Sequence, residues 1–288
     1  MPATPSPDSI PLYRPHAEAP AAADLRPVES AGAWAGLAGQ QLEFVSRGDF
    51  VCGQLHLPEA SSAPLLILLH GTGSSADNEE LDFGADAVRE GYAVARIDLP
   101  LHGRRANPKL SERLFEGYRA LVRGEVLDAD SGALLQEFAR QSTSDVSRCA
   151  EAIAALPEID GDRIAFAGHG IGAAAAIWAA PVTPGLRAMV VTGEVGPMPH
   201  GGELDPAGLL ERAAAWGSNR PLLLAIESGD AVENERVSAL AQSAPGSFRL
   251  ADDNTTPLQQ ALDKDEAGRR GAILAFLGEA LGEADRLN

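Results

Sequence analysis

From residue 41 onward the apolar positions follow two periods. QLEFVS and FVCGQLHL alternate apolar and polar residues on either side of Arg47-Gly48-Asp49, which predicts an antiparallel hairpin. Continuous apolar runs come next: LLILLH (65–70), YAVARIDL (92–99), RIAFAG (163–168), LRAMVVT (186–192) and PLLLAIE (221–227). Unbroken runs of this length suit parallel strands buried on both faces. Between them, apolar residues recur at helical spacing over 78–90, 144–156, 171–180, 205–216, 231–242 and 258–281. This alternation predicts an α/β fold with a mainly parallel, doubly wound sheet led by an antiparallel hairpin.

Two stretches depart from the rhythm. Seven of the 20 prolines lie between Pro2 and Pro27 among Ala, Ser and Asp, a composition that buries too little apolar surface to offset its ordering entropy. Residues 1–40 are therefore expected as an N-terminal arm, and 41–288 as one domain. Within that domain some forty residues separate Leu99 from Thr143. The helical patterns in that interval, at 110–122 and 134–140, predict a lid insertion over about 104–141, because so long a connection in a compact α/β domain usually covers the ligand crevice.

Charge narrows the partners. With Lys+Arg 23 against Asp+Glu 41 the chain carries −18, which repels nucleic-acid phosphates and anionic membrane surfaces. No nucleic-acid or membrane partner is expected. The amino-terminal stretch has neither a basic n-region nor an apolar h-region, and two cysteines, Cys52 and Cys149, cannot staple a chain of 288 residues. The expected location is the cytoplasm.

In an open α/β sheet, ligands bind beyond the carboxyl ends of the strands. The residues there are His70-Gly71-Thr72-Gly73-Ser74, Asp98-Leu99-Pro100-Leu101-His102-Gly103-Arg104, Gly168-His169-Gly170-Ile171-Gly172 and Glu227-Ser228-Gly229-Asp230. In order and spacing they resemble the α/β-hydrolase superfamily, most closely its dienelactone-hydrolase and acyl-peptidase-like branch. The resemblance spans residues 41–282. It implies a G-x-S-x-G elbow at 168–172, an acid at Asp230, a histidine in the loop after the last strand, and oxyanion donors at the amides of Thr72 or Gly73 and of Ile171.

Against that pattern two residues are replaced. Gly170 stands where the nucleophilic serine belongs, so no side chain there can be activated. None of the six histidines follows Asp230, and Asn254 or a neighbour occupies the histidine's place; asparagine cannot shuttle a proton near neutral pH. An acid isolated in this way at a strand end, as Asp230 is, serves more often as a helix cap. Glu194 is a second acid without a histidine to orient. A metal held by His70, His102 and His169 with Asp98 is conceivable, but no pair has the i, i+4 spacing of helical ligands, so neither metal nor cofactor is expected. Ser74 and Ser75 have no base assigned by any motif.

The resemblance therefore implies a pseudoenzyme with a degenerate triad. His70, Gly71, Thr72, Gly73, His102, His169 and Ile171 would line a site for a small acyl or carboxylate ligand or for a protein partner. The alternative is an active ester or acyl hydrolase with a non-standard nucleophile or base.

Overall fold

The computed structural model describes residues 21–193, 199–200, 203–204, 208–217, 220–225, 248–250 and 266–282. Its strands are β1 (Asp24–Val28), β2 (Ala38–Ser46), β3 (Asp49–Leu57), β4 (Ala63–Leu69), β5 (Ala93–Ile97), β6 (Ile159–His169), β7 (Leu186–Thr192), β8 (Pro199–His200), β9 (Glu203–Leu204), β10 (Leu222–Ala225) and β11 (Phe248–Leu250). The helices are α1 (Phe83–Arg89), α2 (Pro108–Val122), α3 (Ala129–Ala154), α4 (Ile171–Ala179), α5 (Gly208–Gly217) and α6 (Glu266–Gly282).

Nine strands form one mixed sheet in the order β1-β2-β3-β5-β4-β6-β7-β10-β11, and β8 pairs with β9 separately. The first three strands pair antiparallel, and β3 joins β5 antiparallel. Every pairing from β5 through β4, β6, β7 and β10 to β11 is parallel. The expected hairpin is β2–β3, with Ser46 opposite Asp49 and both loop residues at positive φ, Arg47 at 52° and Gly48 at 78°. A two-residue loop with two positive φ angles is the I′ type, whose twist matches that of the strands.

Alternate residues of each central strand feed opposite layers. Leu65, Ile67 and Leu69 of β4 pack under α2, α3 and α4, while Leu66 and Leu68 pack against α1 and α6. All nine residues of α4 are buried, and two glycines let it lie on the sheet. A Cβ on Gly168 would stand 2.5 Å from the Gly172 carbonyl oxygen, and one on Gly172 would stand 2.3 Å from that of Leu69.

Three features differ from the sequence expectations. Part of the segment expected to be an arm joins the sheet, because β1 pairs with β2 along its length and Trp34 is buried. The guanidinium of Arg96 lies 3.8 Å over the Trp34 ring, the indole donates to Asp82 at 2.9 Å, and the His56 ring is 4.5 Å away. Residues 1–20 lie outside the described residues. The helices expected at 134–140 and 144–156 are one continuous helix, α3, capped by Asp128, whose side chain accepts from the Ser131 amide. Lastly, β11 adds a strand not foreseen. The helix expected at 231–242 lies outside the described residues.

Candidate functional site

β6 ends at His169 and α4 begins at Ile171, so the whole reversal falls on Gly170, with φ 53° and ψ −114°. L side chains rarely occupy this region, and glycine does so without a Cβ penalty. The elbow is held by Thr192 at the end of β7. The Gly170 amide donates to the Thr192 carbonyl at 2.9 Å, the Thr192 hydroxyl donates to the Gly168 carbonyl at 3.1 Å, and His169 Nδ1 stands 3.1 Å from Thr192 Oγ1.

Beside the elbow lies a cleft of about 590 Å³ lined by Gly71, Thr72, Glu80, Tyr118, Arg119, Val122, Arg123, His169, Gly170 and Gly193. Its floor comes from the ends of β4, β6 and β7, and its wall from one side of α2. The Gly71 amide is occupied by Glu80 Oε1 at 2.7 Å. The amides of Thr72 and Ile171 donate to no acceptor among the described residues. Ile171 begins α4, whose helix dipole favours negative charge at that end.

His70 and His102 sit behind this cleft, not in its wall. His70 is fully buried; its Nε2 accepts the Leu99 amide at 3.1 Å, which leaves Nδ1 to donate to the Gly71 carbonyl at 2.9 Å. His102 Nδ1 faces the Pro100 carbonyl at 2.8 Å, and the ring stacks among His70, Phe115 and Phe138. Burial lowers both imidazoles, His102 to about 4. They tie loops together in neutral form, and neither is among the residues that line the cleft. Family motifs fix their positions but not which way their rings turn.

Asp98 has a similar role. One carboxylate oxygen accepts the Ala76 amide at 2.8 Å and the other the Arg104 amide at 3.0 Å. Gly103, at φ 50°, makes room for it, since a Cβ there would lie 2.2 Å from Asp98 Oδ1. Among the described residues no group of three His, Cys, Asp or Glu side chains could hold a metal ion. Ser74 Oγ is buried without a partner, and Ser75 Oγ meets only the Asp77 amide at 3.4 Å, so neither serine is coupled to a base among the described residues.

Gly71, Thr72, His169 and Gly170 line one cleft, with Ile171, next in the chain, buried. Gly73, at φ 79°, lies against Phe115 and does not line it. Asp230, Asn254 and Glu194 lie outside the described residues. Sequence reasoning missed Glu80, Tyr118, Arg119, Val122, Arg123, Gly193 and the clamping Thr192. The pairs Tyr118/Val122 and Arg119/Arg123, each at i, i+4, were the available sign that one stripe of α2 faces a common surface.

Comparison with known proteins agrees with the fold. The model of the alpha/beta hydrolase family matches residues 66–286. No curated protein matches the chain in sequence. Among solved structures, a cold-adapted esterase from an Arctic intertidal metagenomic library superposes with a TM-score of 0.59 at 15% identity, over 90% of this chain and 99% of the other. An acetyl xylan esterase from Paenibacillus sp. R4 gives 0.56 at 15%, over 96% and 91%. A dienelactone hydrolase-like promiscuous phosphotriesterase from metagenomic libraries gives 0.54 at 15%, over 85% and 99%. At these identities the likeness is one of fold. No helix among the described residues is long and apolar enough to cross a membrane.

Proposed function

The chain belongs to the α/β-hydrolase family, in which the elbow after the central strand presents the nucleophile, and from that premise we propose that its cleft binds a small acyl or carboxylate ligand without serine-hydrolase chemistry. The observation that carries this reading is the elbow. Its backbone keeps the strained turn of a nucleophile elbow, with Gly170 at φ 53° and ψ −114°, yet the residue has no side chain to acylate. The amides of Thr72 and Ile171 supply donors for a carbonyl or carboxylate oxygen, and donors aimed into such a site act independently of any triad.

The wall supports the same ligand class. Arg119 and Arg123 bring positive charge to a cleft in a chain of net charge −18, which favours a carboxylate there over the rest of the surface. Arg123 is itself engaged by Glu125 at 2.6 Å and 3.1 Å. In this reading α2 serves as a lid over the ligand. The esterase names of similar folds fit an acyl ligand.

The test is a pair of measurements on the full chain. A fluorophosphonate, which phosphonylates activated serines with loss of fluoride, should leave the intact mass unchanged, and calorimetric titration with butyrate should give saturable binding. A stoichiometric fluorophosphonate adduct, or no butyrate binding, overturns the proposal. An active hydrolase with a different base is the second reading, and the setting of His169 favours it.

A further inference from the structure

We propose that His169 is a general base that activates a water molecule against an acyl group in this cleft, giving a hydrolysis that needs no covalent nucleophile. The inference rests on the preceding reading, in that the acyl oxygen must occupy the amides of Thr72 and Ile171. It assigns to the elbow the proton acceptor that the sequence lacks after Asp230.

The hydrogen bonds fix the tautomer. Thr192 has one hydroxyl proton, and it is donated to the Gly168 carbonyl at 3.1 Å. Toward His169 Nδ1, at 3.1 Å, the same oxygen can only accept. Nδ1 therefore carries the ring proton and Nε2 carries the lone pair. Nε2 has no hydrogen-bond partner among the described residues, and an imidazole whose Nδ1–H is fixed by an acceptor while Nε2 is available is the state a general base requires.

Packing fixes the ring. A Cβ on Gly71 would stand 2.9 Å from His169 Cδ2, and one on Gly193 would stand 2.6 Å from Cε1 and 2.8 Å from Nδ1. Gly193 is at φ 73°, a conformation that itself favours glycine. The imidazole is thus confined between two residues without side chains while remaining exposed to the cleft, whereas His70 and His102 are sealed behind it. Gly170, next in the chain, lines the same cleft and brings no side chain to it.

The step balances without any further reagent. The water oxygen attacks the ester carbonyl carbon, its proton passes to His169 Nε2, and the carbonyl π pair moves to the oxygen held by the two amides. Collapse re-forms the carbonyl and breaks the bond to the alkoxide, which takes the proton back from Nε2. Acid and alcohol leave, and no acyl-protein intermediate forms.

The experiment follows p-nitrophenyl acetate hydrolysis by the full chain and by His169→Gln, Thr192→Val and Thr192→Ser, with butyrate binding measured on the same samples. The expected result is steady turnover above the buffer rate, without a burst of p-nitrophenol and with a normal solvent deuterium isotope effect. His169→Gln should lower kcat about 100-fold or more while retaining the parent's melting temperature. Thr192→Val should lower kcat, and Thr192→Ser, which keeps the acceptor, should restore it. Turnover no faster than buffer, a stoichiometric burst, or a His169→Gln rate equal to the parent's overturns the base assignment. Butyrate binding that persists in those cases leaves the binding role standing, so the two readings fail separately.

Discussion

The carbonyl of Thr192 accepts the amide of Gly170 at 2.9 Å, so the end of β7 holds the elbow of β6 in its strained turn with no side chain at the apex. With φ at 53°, a serine at this position would carry a strain of about 1–3 kcal/mol. Gly170→Ser should therefore lower the urea-unfolding free energy by an amount in that range. Ester turnover should not rise to that of a serine hydrolase, because the new hydroxyl has no histidine placed to receive its proton from the loop after Asp230. Turnover rising by several orders of magnitude in this single variant would contradict that account. Restoring a triad calls for the double change Gly170→Ser with Asn254→His, or with a histidine at an adjacent position of that loop.

Acid should destabilise the fold before the carboxylates titrate. Burial holds the imidazoles of His56 and His102 down to about 4 and that of His70 below its ordinary value. Unfolding releases them to an ordinary value near 6.5, so between about pH 4 and 6.5 the unfolded chain binds more protons than the folded one. Stability is fully present above that window and is lost as pH falls through it, by up to about 1.4 kcal/mol per pH unit for each histidine. Asp145, raised by burial, acts in the opposite direction over its own range. Urea midpoints should fall steadily from pH 7 to 4.5, and His56→Gln should flatten the slope. A midpoint constant over this range would contradict the neutral, buried assignment.

Arg105 anchors the entry to α2. Its Nη1 donates to Asp145 at 2.7 Å and to the Asp98 carbonyl at 3.0 Å, and its Nη2 donates to Asp49 at 2.9 Å. Asp145 is fully buried. Arg105→Ala leaves that carboxylate without its cation and should cost about 3–5 kcal/mol in urea melts. Arg105→Met combined with Asp145→Leu should recover most of the loss, because the uncompensated charge is what destabilises. Equal loss in the single and double variants would place the cost elsewhere.

The central strands were legible because LLILLH and LRAMVVT are too apolar for anything but a strand covered on both faces. The elbow was legible because two glycines four residues apart, with a third between them, permit the close approach of α4 and the turn at Gly170. β1 was not legible: DLRPV is short and mostly exposed, with a proline that only an edge strand tolerates. The unity of α3 was hidden by QSTSD at 141–145, which reads as a break. In the fold Ser144 accepts from Ser46, Thr143 caps back to the Ala139 carbonyl and Asp145 meets Arg105. Those polar side chains are satisfied by tertiary partners that no local pattern records. The inward turn of His70 and His102 depends likewise on the carbonyls of Gly71 and Pro100, set by loop conformation.

The claim that this cleft receives an acyl or carboxylate oxygen is tested most directly by titrating the 15N-labelled full chain with butyrate and following the backbone amide resonances. Saturable shifts should be largest at Thr72 and Ile171, with His169 and Gly170 moving along the same isotherm. Saturable shifts confined to other parts of the chain, with Thr72 and Ile171 unmoved, would contradict it, as would the absence of saturation.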